Sequence, residues 1–254
     1  MTGFPPDFPE AEVRASPNFG PRRDDKGVSI ILLHYTGMED GPCAENWLCS
    51  HESEVSSHYI VHEDGRVVQM VRESDRAWHA GASCWEGETD INSVSVGIEI
   101  VNSGHPAGLP AFPDAQIEAV IRLCRHIQER HNVALHHVLA HSDVSPGRKC
   151  DPGEAFPWER LAAAGVGLMS GAVDGSSRSI LAPGDEGAGV EELQSMLSLY
   201  GYLIDINGNY DERTRVVIEA FQRHFRRSAV TGIADGETQA ILSSLLDLVP
   251  GAYG

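Results

Sequence analysis

The chain has 254 residues, of which 41% are apolar, and its formal net charge is −18. A charge of this sign and size repels polyanions, which excludes nucleic acid as a partner. No apolar run approaches the roughly 20 residues that cross a bilayer, and there is no basic amphipathic segment, so no transmembrane segment is expected. The composition predicts a globular protein with a sizeable core, in one large domain or two unequal ones.

Residues 1–27 are rich in proline and acidic side chains and predict an extended N-terminal arm. They contain neither the positive region nor the apolar region of a secretory signal peptide, which predicts a cytoplasmic protein. A chain trimmed of its signal would look the same, so the periplasm or cell envelope is the alternative. The five cysteines are scattered and odd in number, which predicts no disulfide framework and fits a reducing compartment.

Residues 28–33 form a near-continuous apolar run that predicts a buried central strand. The run ends at His34, and a polar residue at the end of a buried strand is well placed for a functional site. A core histidine with satisfied hydrogen bonds is the alternative interpretation. Residues 44–52 are expected to form a short helix.

Residues 57–62 and 66–71 predict two strands joined by a tight hairpin turn, since an Asp-Gly pair lies between them. His58, on the first of these strands, is interpreted as a packed histidine. The loop at residues 76–81 then places Trp78 beside His79. Such a loop can line a substrate groove or form a packing corner, and the sequence leaves both open.

Residues 94–101 alternate as a strand with one apolar face. The side chains on that face are Val94, Val96, Ile98 and Ile100. Glu99 lies on the opposite face, where Ser95 and Gly97 are small and leave room above the strand. A carboxylate in such a place should be paired, lie near a metal or have a shifted pKa. A solvated outer face is the alternative.

A helix with apolar residues at helical spacing is predicted over residues 114–131, with Asp114 as its cap. After it, an apolar run delivers His141 into a loop stiffened by proline and glycine. That loop holds an imidazole, an ammonium and a carboxylate close together. These are His141, Lys149 and Asp151.

The residue types in this loop fit a catalytic zinc site, which needs three protein ligands and one open position. We predict His34, His141 and Asp151 as the ligands, because both histidines end strand-like runs that neighbouring strands can bring together. The 107 residues between the histidines make their spacing a weak signal by itself. Cys150 is a rival ligand on chemical grounds, and the residues alone do not choose between Cys150 and Asp151.

Bound zinc would complete the apparatus of an amide hydrolase. Glu99 would take a proton from water and pass it to the leaving amine. Lys149 would stabilise the oxyanion of the tetrahedral intermediate. These roles make Glu99 and Lys149 the predicted catalytic residues.

The C-terminal part of the chain differs from the rest in composition and in the spacing of its apolar residues. Residues 165–183 are rich in glycine and serine and predict a linker. Residues 184–250 predict three short helices, with a weak internal repeat in which glutamine follows leucine or phenylalanine. No catalytic constellation is visible there, so this domain is expected to bind rather than to react.

These motifs together resemble the zinc-dependent N-acetylmuramoyl-L-alanine amidases, which include bacterial anhydro-muropeptide amidases, phage lysozyme-like amidases and the peptidoglycan recognition proteins. The resemblance covers residues 28–160 and is highly specific. It is carried by the segments around five residues, His34, His58, Trp78, Glu99 and His141. Residues 184–250 resemble a three-helix peptidoglycan-binding domain.

The resemblance implies an amidase domain at residues 28–164, built on a mixed central β-sheet flanked by helices, which places the chain in the α/β class. It implies one Zn²⁺ per chain on His34, His141 and Asp151, which decides against Cys150, with Glu99 as general base and Lys149 as transition-state stabiliser. The implied substrate is the amide between N-acetylmuramic acid, or its 1,6-anhydro form, and L-alanine in peptidoglycan or muropeptides. Within the matching motifs, we expect four residues to bind substrate: Tyr35, Trp78, His79 and Asn102.

Two other functions remain as alternatives. A non-catalytic peptidoglycan receptor would bind muropeptide without cleaving it. A zinc peptidase acting within the stem peptide would use a similar three-ligand site, since such sites serve both kinds of hydrolysis.

Overall fold

The computed structural model describes residues 3–171 and 173–249. Residues 1, 2, 172 and 250, which fall within the predicted arm, linker and C-terminal domain, lie outside the described residues. The described strands are β1 (Glu12–Val13), β2 (Phe19–Pro21), β3 (Ile30–Tyr35), β4 (Tyr59–Val61), β5 (Val67–Gln69), β6 (Asp75–Ala77), β7 (Ser95–Ile100) and β8 (Val138–Ala140).

Six strands form the main sheet, in the order β1-β5-β4-β7-β3-β8, and β2 pairs with β6 in a separate ribbon. β4 and β5 run antiparallel, as predicted for the hairpin, while the four other neighbouring pairs in the described sheet are parallel. β3 lies between β7 and β8 and is buried from Ile30 to His34, which explains its near-continuous apolar sequence. The prediction of an α/β fold with a mixed central sheet is confirmed.

The described helices are α1 (Gly41–Leu48), α2 (Ile91–Val94), α3 (Asp114–His131), α4 (His141–Val144), α5 (Trp158–Ala163), α6 (Ala188–Tyr200), α7 (Glu212–Phe225) and α8 (Gly236–Leu248). Short 3-10 turns occupy residues 23–25, 51–53, 105–107 and 135–137. In the part of the chain that the structure describes, no helix combines the length and the apolarity needed to cross a bilayer.

Two helix starts differ from the sequence prediction. α1 begins at Gly41 rather than near residue 44, because the side chain of Asp40 caps it by accepting a hydrogen bond from the N–H of Cys43 at 2.7 Å. Asp114 is not the cap of α3 but its first residue; Pro113 precedes it, and the Asp114 carboxylate pairs with Arg160. The apolar stripe of α3 packs on the sheet as predicted.

The N-terminal arm is extended but packed into the fold. β1 pairs with the edge of the main sheet at β5, and β2 pairs with β6. Next to β2, the guanidinium of Arg22 donates to the backbone carbonyls of Glu73, Ser93 and Ser95 at 2.8–3.1 Å. The arm therefore helps to hold the start of β7 in place.

The C-terminal helices contain the internal repeat that the sequence suggested. Gln194 on α6 accepts hydrogen bonds from the backbone N–H groups of residues 207–208, and Gln222 on α7 does the same with residues 231–232. Each amide also donates to a threonine near the start of the following helix, Thr214 and Thr238. The repeated glutamine thus pins the loop between successive helices.

The three C-terminal helices do not stand apart from the sheet. Their buried side chains form one continuous apolar cluster with Ile30 and Leu32 of β3, Leu139 of β8 and the loop residue Trp85. Ile30 and Leu32 lie on the same face of β3 as His34, four and two residues before it, respectively. The three C-terminal helices and the loops between them, called the helical module below, therefore cover the part of this face that precedes His34.

Candidate active site

Strand pairing brings the distant polar residues to one end of the sheet. In the parallel register of β3 and β7, His34 lies opposite Glu99. On the other side of β3, Leu33 pairs with Ala140, so that His141 follows directly beside His34. The gap of 107 residues between the two histidines is therefore closed by adjacent strands that run in the same direction.

Three donor atoms converge at this edge. Nδ1 of His34 lies 2.9 Å from Nδ1 of His141 and 3.2 Å from Oδ2 of Asp151, and the two latter atoms are 3.0 Å apart. Ligand atoms bound tetrahedrally at about 2.0–2.1 Å from zinc are roughly 3.3 Å apart, close to the sides of this triangle. All three side chains are buried. The residues therefore fit a zinc ion, whose fourth position would face the cavity.

The outer ring nitrogens of both histidines have their own partners. Nε2 of His141 lies 3.0 Å from the carbonyl oxygen of Ala80, to which it donates, and Nε2 of His34 lies 3.0 Å from Nδ1 of His79. Because a carbonyl oxygen can only accept, the first contact places the ring proton of His141 on Nε2 and leaves its Nδ1 free; the second is compatible with the same tautomer of His34, with His79 Nδ1 as acceptor. Burial, and then the neighbouring His141, lower the pKa of His34 to about 4, so its imidazole is neutral at pH 7.

Cys150 points in a different direction from Asp151. Its Sγ lies 3.4 Å from the hydroxyl of Tyr35 and 3.4 Å from Nδ1 of His105. Asp151, in contrast, directs Oδ2 at both histidines. The carboxylate of Asp151, and not the thiol of Cys150, therefore lies with the two histidines in the donor triangle.

Glu99 projects beside this donor triangle. Its Oε2 is buried and has no hydrogen-bond partner among the described residues. Burial raises the pKa of the Glu99 carboxyl well above its ordinary value; the negative charge of Asp151 adds to the effect and the ammonium of Lys149 opposes it. An unpartnered carboxyl at this position can accept a proton from a water molecule in the cavity.

The space above Gly97 on β7 is filled by His79. A Cβ atom at residue 97 would lie 2.6 Å from the His79 ring, so only glycine lets the ring sit this close to the strand. His79 thereby supports His34 from behind. His58 directly precedes β4, is buried, and accepts a hydrogen bond from the N–H of Gly97 at 2.9 Å. It is therefore a packed histidine, as predicted.

The donor triangle opens into a cavity of about 390 Å³. Most of the predicted site residues line it: His34, Tyr35, Trp78, His79, Glu99, His141, Lys149 and Asp151. Asn102 does not; its side-chain amide donates to the carbonyl of Pro110, and its side-chain oxygen accepts from the N–H of Gly104. The structure therefore places Asn102 in the loop that follows β7, beside the cavity rather than in its wall.

The cavity lining also includes residues that the sequence did not single out, among them Trp47 and Arg148. Trp47 on α1 is 46% exposed and forms part of one wall. Arg148 donates to the carbonyls of Ala80 and Ala82 and so ties the loop before Lys149 to the loop after Trp78. A tryptophan within the predicted short helix is a sequence signal for Trp47, but the sequence alone does not show which side of α1 faces the cavity.

Comparison with known proteins gives two family matches. The family described as N-acetylmuramoyl-L-alanine amidase matches residues 24–154, and a peptidoglycan binding domain family matches residues 186–242. The chain is 37% identical over 237 residues to the N-acetylmuramoyl-L-alanine amidase AmiD of Escherichia coli strain K12, an alignment that covers 87% of this chain and 83% of that protein.

Two solved structures are similar along most of the chain. One is E. coli AmiD in complex with the substrate anhydro-N-acetylmuramic acid-L-Ala-D-γ-Glu-L-Lys, with a TM-score of 0.77, 36% identity, and coverage of 92% of this chain and 93% of that chain. The other is AmpDh3 of Pseudomonas aeruginosa in complex with anhydromuramic pentapeptide, with a TM-score of 0.71, 28% identity, and coverage of 92% and 95%.

Proposed function

Because this chain belongs to the N-acetylmuramoyl-L-alanine amidase family, we propose that it uses one Zn²⁺ to hydrolyse the amide between N-acetylmuramic acid, or its 1,6-anhydro form, and L-alanine of the stem peptide. The observation that carries this proposal is the buried triangle of His34, His141 and Asp151 beside the unpartnered carboxyl of Glu99. A receptor that only binds muropeptide would not need that carboxyl.

The metal would be held by Nδ1 of His34, Nδ1 of His141 and Oδ2 of Asp151. A zinc ion held there would polarise the scissile carbonyl and lower the pKa of bound water. The outer contacts to His79 and to the carbonyl of Ala80 keep the two rings turned toward the metal.

Glu99 takes a proton from the attacking water as the new C–O bond forms at the lactyl carbonyl. The ammonium of Lys149, on the cavity wall, stabilises the negative charge on the carbonyl oxygen. Glu99 then gives its proton to the amine nitrogen of L-alanine as the C–N bond breaks. The remaining acidic proton of the new lactyl carboxyl group then passes to the amine, so the products are a lactyl carboxylate and a peptide with a protonated amino terminus, and atoms and protons balance.

Substrate binding is assigned to residues around the cavity. Tyr35 and Trp78 offer aromatic surface on its walls, and Trp47 adds a third ring. Aromatic faces of this kind suit sugar and peptide groups, because they bury apolar area without blocking hydrogen bonds at the ring edges. His79 contributes by supporting His34, and Asn102 by fixing the loop after β7.

We divide the chain into an N-terminal arm (1–27), an amidase domain (28–164), a linker (165–183) and a peptidoglycan-binding helical domain (184–250). The helical domain would hold the enzyme on polymeric substrate. The compartment follows from the substrate: action on soluble muropeptide fits the cytoplasm, and action on intact sacculi fits the periplasm or cell envelope.

Product mass spectrometry tests the proposed function, using intact sacculi and soluble anhydro-muropeptide, each with and without a chelator. We expect chelator-sensitive release of peptides that begin with L-alanine, together with a free lactyl carboxylate. An intact lactyl amide with cleavage further along the peptide would instead identify a zinc peptidase. Binding of either substrate without any cleavage would identify a receptor.

Replacing Lys149 with methionine removes the ammonium but keeps much of the side chain's length. We expect kcat to fall by about 10²–10³-fold with little change in KM, because the charge acts on the oxyanion that develops in the transition state. Lys26→Met is the matched control, since Lys26 pairs with Glu88 at 2.5 Å and does not line the cavity. Equal activity of the two variants would remove Lys149 from the mechanism.

A further inference from the structure

The helical module contacts the turn that carries His141. Asp143 lies in α4, two residues after His141, and its side chain is fully buried. Oδ1 of Asp143 accepts a hydrogen bond from the hydroxyl of Tyr202 at 2.7 Å, and Oδ2 accepts one from Nδ1 of His224 at 2.7 Å. Tyr202 and His224 belong to the C-terminal helical module. We call these three residues the Asp143 anchor.

Asp143 also organises its own turn. Oδ2 accepts a hydrogen bond from the N–H of Ala140 at 2.8 Å, which closes the first turn of α4 around His141. One residue before Asp143, the N–H of Ser142 donates to the backbone carbonyl of Asp151 at 3.0 Å. The turn fixed by Asp143 therefore positions the backbones of two of the three metal donors.

Both partners of Asp143 pack against aromatic side chains of the amidase domain. The His224 ring stacks on Trp158 of α5, with centroids 3.7 Å apart, and Tyr202 packs edge-on against Trp85 at 5.0 Å. Nε2 of His224 is buried without a partner among the described residues, which places the ring proton on Nδ1, where it is donated to Asp143. Every hydrogen bond in the anchor thus has a defined donor.

The helical module also contacts the loop between His141 and Asp151. Arg213 on α7 donates to the carbonyl of Pro146 at 3.4 Å, and a Cβ atom at Gly147 would lie 3.2 Å from Val216 on the same helix. α7 therefore lies against the loop between His141 and Asp151 at several points, of which the Asp143 anchor is the buried one.

We propose that Tyr202 and His224 are positioning residues for the metal centre: by holding Asp143, the helical module sets the geometry of His141 and Asp151 and raises the zinc affinity of the site. This inference rests on the proposed zinc-dependent function. It assigns the module a role in the amidase site itself, in addition to binding peptidoglycan. Residues that orient the ligands of a metal typically contribute about 10–100-fold to its affinity.

The test measures the zinc dissociation constant of the full chain by competition with a chromophoric chelator. Tyr202→Phe removes one oxygen atom and His224→Phe removes the donor while keeping a flat ring, and each is expected to weaken zinc binding by about 10-fold or more. His224→Asn, whose amide can donate from nearly the position of Nδ1, should restore most of the affinity. Tyr200→Phe is the matched control, because Tyr200 is buried against Trp85 in the same cluster but, among the described residues, makes no hydrogen bond to Asp143, unlike Tyr202 and His224.

Thermal unfolding of each metal-free variant separates positioning from simple stability. If Tyr202→Phe and His224→Phe lower the melting temperature but bind zinc as tightly as the parent, the anchor is only structural and the proposal is overturned. Should His224→Phe fail to fold, Tyr202→Phe decides the question alone. If the parent itself binds no stoichiometric zinc, or if His141→Ala binds it undiminished, the proposed function fails and not merely this inference.

Discussion

Glu99→Gln is expected to lower kcat by about 10²–10⁴-fold while leaving zinc bound, because glutamine has nearly the same shape as glutamate but cannot take a proton from water. Glu99 has no evident structural role at this atom, because its Oε2 is buried at the cavity without a hydrogen-bond partner among the described residues. Release of L-alanine-peptide from muropeptide, followed against the zinc content of the same sample, measures the effect.

Glu118→Gln serves as the control for this substitution. Glu118 lies on the exposed side of α3, with 62% of its side chain accessible, and it pairs with Arg160; neither residue lines the cavity. The activity of the Glu118→Gln enzyme should equal that of the parent. A Glu99→Gln enzyme that keeps both its zinc and its full rate would show that another group activates the water.

Asp151→Ala is expected to abolish measurable hydrolysis and to weaken zinc binding by more than the roughly 100-fold typical of lost outer contacts to a metal ligand. The substitution removes the single carboxylate of the donor triangle and leaves two imidazoles. A chelator should have the same effect on the parent, and added zinc should restore the parent but not the variant. Zinc content and hydrolysis rate are both measured.

Cys150→Ser provides the neighbouring comparison. The Sγ of Cys150 faces Tyr35 and His105 rather than the donor triangle, so this variant should keep its zinc and most of its activity. The reverse pattern, in which the serine variant loses zinc and the alanine variant keeps it, would assign the thiolate as the third ligand.

Local sequence patterns predicted much of the sheet correctly. The apolar run before His34 and the alternation around Glu99 both became buried central strands, and the Asp-Gly turn joined β4 to β5 as a hairpin. These predictions succeed because side-chain period and turn chemistry act over a few residues. The prediction that Asp114 caps α3 is wrong, because Pro113 precedes the helix and Asp114 is its first residue; either residue type can precede a helix, and only the fold chooses between them.

Contacts between residues that are far apart in the sequence could not be predicted from local sequence patterns. The sequence did not show that Arg22 of the arm is inserted among carbonyls at the start of β7, or that Trp47 faces the cavity. Nor did it show that the C-terminal helices share an apolar cluster with β3 and contact α4 through Asp143. Such contacts join segments between which no local pattern exists.

The sequence by itself determined the chemistry available to this protein: two histidines at the ends of apolar strands, a carboxylate on the open face of another, and a stiff loop with a lysine and an aspartate. These follow from residue type and short-range periodicity. Only the tertiary structure decided which ring nitrogens face one another, that His79 and Ala80 hold the two rings, and that the helical module fixes the turn of His141. Metal geometry depends on distances of a few tenths of an ångström between strands, and the packing of the whole chain sets those distances.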